Sequence, residues 1–414
     1  MKVLIVSEPG VDGVFRYVEA LCDFLSTQGA EVHLAYSDRR ACDCLPELVA
    51  RVRRHGGRTV NLGTANRPAL ADWSAFRALR RLARDVRPDV VHSHSSKAGF
   101  LARLLPAAGV RTVQVYNPHA YVGMRPEAGR FDWLYNRVEG VLGRTGHTIV
   151  VSADEHEFAS GRLGIPPARL VHLPNGVDTA KFAPAPPEQK RRLRESLGLP
   201  VAGPVLGFIG RSVAQKDPLT LYRAFARASA TRPLTLFHVG RGELDRPLDL
   251  LADELGIRHR LIRLPYLSQP ADFYRAVDGF ALCSRYEGFS LAALEALSAN
   301  LPLILSAAPG NRDLLAHPLS HAWSALPGDV DSFAEGIAAW HDRLQQPAAV
   351  NHRQIARARY DLRVTLGAVL DLYRQLVNSR PSRGPRRRRA WVRRSAAASR
   401  GHPSRFRLGW PRHG

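Results

Sequence analysis

The sequence predicts an α/β protein whose parallel sheets are covered by helices on both faces. It opens on an apolar run at Lys2–Ser7, a turn with two glycines, a helix at residues 14–28 and a strand at Glu31–Tyr36. Short apolar runs then alternate with helical segments, a pattern typical of parallel sheets. A chain of 414 residues with an apolar fraction of 45% is long enough for two or three domains of about 150 residues each.

The later elements continue this alternation. Further strands are predicted at residues 59–62, 90–92, 112–116, 148–151, 204–210, 234–239, 261–264 and 301–306. Pro174-Asn175-Gly176 is a turn signal, and the charged, proline-containing stretch that follows it up to Pro200 predicts a linker. A last helix at residues 361–377 has apolar residues at near-helical spacing, which favours burial of one face.

The segment from Glu287 to Glu295 carries the strongest functional signal. It lies between two apolar runs and predicts a strand, loop, helix and strand, with Ser290 as the helix N-cap. The amides after Ser290 can bind an anion, and the two carboxylates can accept hydrogen bonds from hydroxyls. This predicts a phosphorylated ligand rich in hydroxyls, such as a nucleotide sugar. Two solvated surface glutamates are the alternative.

Basic and glycine residues follow other predicted strands. Arg211 ends a strand and Lys216 precedes a helix that Asp217 can cap, so both cations are expected beside the Glu287 loop. There they can neutralise a leaving diphosphate without a metal. Gly10 and Gly13 lie in the first strand–helix turn, where the backbone can approach a ligand closely.

Paired histidines could indicate a metal site, but their spacing does not support one. His92 and His94 are two residues apart, but no third ligand with suitable spacing is visible, so a polar loop after the strand is predicted. His119 follows another strand and is interpreted as a turn residue on its own evidence. Asp329 and Asp331 lie at a predicted helix start, where capping explains them better than a metal does.

The Glu-x7-Glu unit, with Gly288, Phe289 and the Ala-Leu-Glu-Ala run, resembles the signature of retaining glycosyltransferases of family 4. This resemblance implies the GT-B architecture, in which two Rossmann-like domains face each other across a cleft. It covers nearly all of residues 1–378. The expected limits are an acceptor-side domain at 1–175, a linker at 176–200, a nucleotide-sugar domain at 201–358, a helix at 359–378 that packs back on the first domain, and a tail at 379–414.

The resemblance also assigns roles to individual residues. Arg211 and Lys216 clamp the diphosphate, Glu287 contacts the donor sugar, and Glu295 holds the ribose. His119 faces the outer hydroxyls of the sugar. The implied catalytic residues are His119, Arg211, Lys216 and Glu287, the implied donor-binding residues are Gly10, Gly13, Gly288, Phe289, Ser290, Leu291 and Glu295, and the implied acceptor-side residues are Ser95, Ser96 and Lys97. The family usually has adjacent glycines where Gly10 and Gly13 are three apart.

The implied activity is transfer of a sugar from a UDP- or GDP-sugar to a glycan or a lipid-linked acceptor, in surface polysaccharide synthesis. No protein nucleophile is evident, and family members are described as reacting on one face of the sugar, with a donor phosphate oxygen taking the acceptor proton. No metal or other cofactor is expected. Two alternatives stay open: a nucleotide-sugar epimerase of the same fold, and a non-catalytic binding or scaffold protein.

Charge is concentrated at the carboxyl end of the chain. The formal net charge is +22, and residues 380–414 contain twelve arginines and no acid, which leaves +10 for the rest. Such a segment cannot bury enough apolar surface to fold alone, so disorder is expected. Its arginines and aromatics suit an anionic membrane surface or RNA, although a solvated tail without a partner is equally compatible. No specific nucleic acid partner is expected.

Cysteine usage and hydropathy give the expected location. The four cysteines lack the spacing of a disulfide framework, and no uncharged apolar run approaches the roughly 18 residues of a membrane span. The sequence therefore predicts a cytoplasmic protein, with the basic tail as a means of peripheral attachment to the inner face of the cell membrane.

Overall fold

Strands and helices alternate along the chain, as the sequence predicts. The computed structural model describes residues 1–10, 12–65, 69–127, 129–344 and 352–379. The strands are β1 Lys2–Ser7, β2 Glu31–Tyr36, β3 Thr59–Asn61, β4 Val90–His94, β5 Val113–Asn117, β6 His147–Val150, β7 Leu170–His172, β8 Val205–Ile209, β9 Thr235–Val239, β10 Leu261–Leu264, β11 Gly279–Leu282, β12 Leu303–Ser306 and β13 Ala322–Ala325.

The helices fill the connections between these strands. They are α1 Asp12–Thr27, α2 Leu45–Arg54, α3 Ala71–Val86, α4 Ser96–Arg103, α5 Asp132–Leu142, α6 Ala153–Glu157, α7 Pro187–Ser196, α8 Pro218–Ser229, α9 Asp245–Glu254, α10 Pro270–Ala276, α11 Leu291–Ser298, α12 Arg312–Leu315, α13 Val330–Asp342, α14 His352–Arg359 and α15 Leu362–Asn378. Short 3-10 turns occupy Val122–Met124, Pro167–Arg169 and Arg258–Arg260, and a π turn occupies Phe158–Arg162.

The strands form two separate parallel sheets. The first has the order β3-β2-β1-β4-β5-β6-β7, and the second has the order β10-β9-β8-β11-β12-β13. Strand order reverses between β1 and β4 in the first sheet and between β8 and β11 in the second. The crevice at such a switch point lies outside the carboxyl ends of the strands and is where doubly wound sheets bind ligands. The predicted α/β class with parallel sheets is confirmed.

Helix α15 packs on the first sheet, although it follows the second in sequence. The chain leaves the first sheet region at Val177 and returns at Asp361, and these two residues form a parallel bridge. Leu366 and Tyr373 of α15 then join the apolar core that contains Leu21 of α1 and other residues of the first sheet region. The predicted burial of this helix is confirmed, whereas the domain limits stay predictions.

The predicted strand at residues 90–92 is present but longer than expected, so the prediction of a polar loop that includes His94 is wrong. Strand β4 runs to His94, and both histidines are fully buried. Their polar character led to the wrong assignment, because a strand in the middle of a sheet usually reads as a continuous apolar run. The buried rings find partners instead in Tyr373 and His119.

The four cysteines form no disulfide: all are free thiols, as expected from their spacing. Across the ranges that the structure describes, no helix is both long and apolar enough to cross a membrane. The basic tail at 380–414 lies outside the described residues.

The docking of α15 gives a testable stability prediction. Leu366→Ala should lower the free energy of unfolding by about 2–5 kcal/mol, because it leaves a cavity in a core where Leu366 is 1% exposed. Val364 lies on the same helix with 60% of its surface exposed, so Val364→Ala should change stability by only about 0.5 kcal/mol. Urea unfolding of both variants measures the difference. Equal stability of the two variants would contradict the docking of this face.

Candidate functional site

A cleft of about 340 Å³ lies where the loops after the central strands of both sheets meet. From the first sheet it is lined by residues that follow β1 and β5, and from the second by residues that follow β8 and β11. The lining includes Pro9, Gly13, Val14, Arg16, Arg40, His119, Asn175, Arg211, Gln215, Lys216, Tyr274, Glu287, Gly288, Phe289, Ser290, Leu291 and Glu295. The cleft therefore lies beside the switch points of both sheets.

The Glu287 carboxylate is held in the second half of the cleft. Glu287 Oε1 accepts hydrogen bonds of 2.5 Å from Lys216 Nζ and 2.5 Å from Ser284 Oγ. Glu287 is 6% exposed, and a buried carboxylate is stable only when it is paired and hydrogen-bonded. The sequence-predicted approach of Lys216 to the Glu287 loop is therefore present, and it forms a direct ion pair.

The loop that carries Arg211 and Lys216 is tied to the Glu287 loop. Gln215 Nε2 donates to the carbonyl of Tyr286 at 3.1 Å, and Arg285 Nε lies 3.1 Å from Asp217 Oδ2. Asp217 also caps α8 by accepting from the Thr220 amide, as predicted. Together these contacts fix the two strand-end loops as one surface that places cations beside Glu287.

Helix α11 begins at the cleft. Ser290 is its N-cap, with the side chain accepting a hydrogen bond from the Ala293 amide, which confirms the predicted cap. Asn175 Nδ2 donates to the carbonyl of Phe289 at 3.0 Å, so the chain segment between the sheets also supports the helix start. The first amides of this helix and its dipole favour an anion at this position.

Glu295 joins the two halves of the cleft. Its Oε1 lies 2.5 Å from the guanidinium of Arg16 in α1, and its Oε2 accepts a 2.6 Å hydrogen bond from Tyr274. Burial alone would lower the pKa of Arg16, but the Glu295 carboxylate raises it above its usual value. Both carboxylate oxygens are thus occupied by protein groups, and a ligand that binds Glu295 must displace or share one of them.

The His119 backbone packs directly against the Gly288 backbone at the edge of the cleft. A methyl group on Gly288 would come within 2.9 Å of the His119 carbonyl carbon, so only glycine fits there. His119 and Ala120 both adopt positive φ angles, of 55° and 93°. The Ala120 amide donates to buried Glu155 at 2.8 Å, and burial raises the pKa of Glu155 to about 7. Burial lowers the pKa of His119 to about 3, so its imidazole is neutral at neutral pH.

Some predicted residues are not among those that line the cleft. Gly10 bonds instead to the segment at 40–42, and its amide donates to the Arg40 carbonyl at 2.7 Å. Ser95, Ser96 and Lys97 are not among the lining residues, and Lys97 Nζ lies 2.5 Å from Asp72. Within the residues that the structure describes, no three His, Cys, Asp or Glu side chains form a group that could hold a metal ion.

Three lining residues that bond to the segment from Glu287 to Glu295 were not predicted as site residues: Arg16, Asn175 and Tyr274. Arg16 lies near the start of α1, three residues after Gly13, and that position beside a glycine turn was an available signal. Asn175 was interpreted only as part of a structural turn. Tyr274 offers no local signal, because α10 is brought to Glu295 only by packing.

Comparisons with known proteins agree with this architecture. Residues 11–181 match the Glycosyltransferase Family 4 model, and residues 189–359 match the Glycosyl transferases group 1 model. Sucrose-phosphate synthase from Thermosynechococcus elongatus superposes with a TM-score of 0.76 at 20% identity, covering 92% of this chain and 100% of that one. The predicted GT-B architecture of two Rossmann-like domains is confirmed.

Two curated relatives are similar over most of their length. An Escherichia coli UDP-Gal:alpha-D-GlcNAc-diphosphoundecaprenol alpha-1,3-galactosyltransferase is 29% identical over 316 residues, 74% of this chain and 81% of the relative. A D-inositol 3-phosphate glycosyltransferase from Xylanimonas cellulosilytica is 30% identical over 319 residues, 71% of this chain and 74% of the relative. These matches, over both halves of the cleft, show that the chain belongs to glycosyltransferase family 4.

Proposed function

We propose that this protein is a retaining, metal-independent glycosyltransferase that moves a sugar from a UDP- or GDP-sugar to a lipid-linked or glycan acceptor in surface polysaccharide synthesis. The observation that carries this proposal is the grouping of Arg211, Lys216, Glu287 and the start of α11 in one cleft. Two cations and a helix N-terminus suit a diphosphate, and a paired carboxylate suits a sugar hydroxyl.

The chemistry of Glu287 supports a binding role. Its Oε1 already accepts from Lys216 and Ser284, and these hydrogen bonds make it a weaker nucleophile and hold it as an acceptor. We assign it to the donor sugar. Charge on the leaving diphosphate is then stabilised by Arg211 and Lys216, and Lys216 is already held in the cleft by its bond to Glu287.

Two observations support a lipid-linked acceptor over a soluble one. The E. coli relative is named for a diphosphoundecaprenol acceptor. In addition, helix α5 and the residue before it expose large apolar rings, with Phe131 58% and Trp133 66% exposed, and the Arg130 guanidinium lies 5.8 Å from the Phe131 ring centre. Helix α5 contacts the turn Val122–Met124, which follows His119 closely. A basic and aromatic surface near the cleft suits contact with anionic lipid.

The direct test is to incubate the purified protein with UDP-, GDP- and ADP-sugars, with and without a bacterial lipid extract. A glycosylated lipid with the anomeric configuration of the donor is expected. A rearranged nucleotide sugar formed without any acceptor would identify an epimerase instead. Binding of lipid or RNA with no turnover of any donor would identify a scaffold protein.

The diphosphate clamp gives the next prediction. Arg211→Ala and Lys216→Ala should each lower kcat by ~100-fold or more, because each removes a preorganised charge from the transition state. Arg227→Ala is the matched control, since Arg227 lies on α8 with its side chain 55% exposed. Steady-state kinetics with and without EDTA measure both claims. Normal turnover in both cleft variants would refute the clamp, and loss of activity in EDTA that a divalent ion restores would refute metal independence.

The two glutamates should affect different steps. Glu295→Gln should weaken binding of free nucleoside diphosphate by about 10-fold or more, as expected for loss of a hydrogen bond to a charged group. Glu287→Gln should mainly slow sugar transfer, because only that carboxylate is assigned to the reacting sugar. Calorimetric titration of UDP and GDP, followed by single-turnover kinetics, separates the two effects.

Arg16→Met supplies the control for Glu295. It removes the cationic partner of the carboxylate and leaves the carboxylate itself in place. A ribose contact predicts that Arg16→Met binds nucleotide much better than Glu295→Gln does. Equal losses of binding in the two variants would show that the ion pair between the domains, and not a ribose contact, determines binding.

The basic tail gives the last prediction for this function. We propose that residues 380–414 hold the enzyme at the inner membrane face, since each arginine near anionic lipid contributes ~1 kcal/mol and salt screens this attraction. Removing the tail should abolish salt-sensitive sedimentation with phosphatidylglycerol vesicles and leave nucleotide binding unchanged. Equal sedimentation of the truncated protein would refute the tail as anchor, and loss of sedimentation in Trp133→Ser alone would assign the contact to the α5 surface.

A further inference from the structure

Three histidine rings form a row from the buried interior of the first sheet, at His92 and His94, to the partly buried His119 at the cleft. His92 and His94 lie on the same face of β4, with ring centres 4.1 Å apart. His94 stacks on His119 at 5.4 Å, and His94 Nδ1 lies 3.1 Å from His119 Nε2. At the inner end, His92 Nδ1 lies 2.5 Å from the hydroxyl of Tyr373 in α15.

All three imidazoles are neutral near pH 7. Burial lowers the pKa of His92 to about 3 and that of His119 to about 3, and burial together with its two histidine neighbours lowers the pKa of His94. A neutral imidazole has one N–H donor and one acceptor nitrogen. The short contact between His94 and His119 therefore requires a proton on one of the two facing nitrogens and none on the other.

The surroundings of His94 decide which nitrogen carries that proton. His94 Nε2 is buried and has no hydrogen-bond partner among the described residues. A proton there would create a buried N–H without an acceptor, which is strongly unfavourable. A proton on His94 Nδ1 is instead used in the bond to His119. His94 is thus the donor, His119 Nε2 is the acceptor, and the single proton of His119 lies on Nδ1.

The His119 backbone is held in place independently of this bond. Its amide donates to Asn117 Oδ1 at 3.2 Å, and the next amide is bound by Glu155. The positive φ angles of His119 and Ala120 are sparsely populated conformations that persist only where the surroundings impose them. The loop therefore sets the position of the ring, and His94 can set its rotation and its tautomer.

We propose that His94 is a positioning residue that holds His119 as the neutral Nδ1–H tautomer, so that His119 presents a hydrogen-bond donor to an oxygen of the bound donor sugar. His119 lines the cleft, and Nδ1 is its one ring nitrogen that does not face His94. The sugar contact rests on the proposed function, whereas the tautomer is a property of the free protein. This separation makes the two claims testable apart from each other.

Long-range proton–nitrogen NMR of protein labelled with 15N-histidine tests the tautomer. The signals of His119 are assigned by their loss in His119→Asn. The wild-type protein without ligand should show a protonated Nδ1 and an unprotonated Nε2 for His119. A protonated Nε2 at His119 would overturn the proposal, whether or not the protein transfers sugar.

Kinetics of His94 variants test the positioning role. His94→Phe should lower kcat by about 10-fold, as expected when one hydrogen bond that orients a functional side chain is lost. Binding of nucleoside diphosphate should stay close to that of the wild type. His94→Asn keeps an N–H donor near the position of Nδ1 and should restore most of the rate and the Nδ1–H signal.

Tyr373→Phe is the matched control for general loosening of the histidine row. It removes a buried hydroxyl from His92 and leaves the bond between His94 and His119 intact. Its kcat should equal that of the wild type, even if its melting temperature falls. An equal loss of kcat in Tyr373→Phe and His94→Phe, or a His94→Asn variant no faster than His94→Phe, would overturn the proposal.

Discussion

The cleft depends on the pairing of two carboxylates that are almost completely removed from water. Glu287 and Glu295 are 6% and 4% exposed, and an uncompensated charge at such a depth costs several kcal/mol. Their partners come from distant parts of the chain: Lys216 from the loop after β8, Tyr274 from α10, and Arg16 from the first domain. Pairing these charges therefore fixes both strand-end loops and one contact between the domains.

Backbone strain is concentrated at the same edges of the two sheets. Among the non-glycine residues with positive φ in the described part of the chain are Ser95 after β4, His119 and Ala120 after β5, and Asp217 before α8. Each such residue costs ~1–3 kcal/mol and persists only where its surroundings impose the conformation. Here side-chain bonds from Asn117, Glu155 and Arg285 hold the loops that contain three of them. The cleft is thus presented by loops of defined shape.

The end of the folded chain contributes to the interior beneath the cleft. Helix α15 follows the second domain but buries Leu366 and Tyr373 in the core of the first. The hydroxyl of Tyr373 contacts His92, the His92 ring packs against the His94 ring at a tilt, and His94 bonds to His119. The last helix therefore makes two contributions. It connects the second domain to the first by packing on the core of the first domain, and its Tyr373 hydroxyl contacts the innermost histidine, His92.

The sequence alone determined the features that arise from local patterns. Apolar periodicity predicted the parallel sheets and the burial of α15, and side-chain chemistry predicted the caps at Ser290 and Asp217. The approach of Lys216 to Glu287 was also predictable, because parallel strands place their following loops at one edge of a sheet. The family signature added the roles of these residues.

Only the tertiary structure decided how charges and polar groups find their partners. It gave Glu295 its bonds to Arg16 and Tyr274, bonded Gly10 to the segment at 40–42, and extended β4 to the buried His94. The position of Arg16 beside a glycine turn could indicate a site residue, but the bonds themselves have no local signal, because each joins residues that are far apart in sequence. A buried polar group is stable only with a partner, and that partner exists only after the domains have packed.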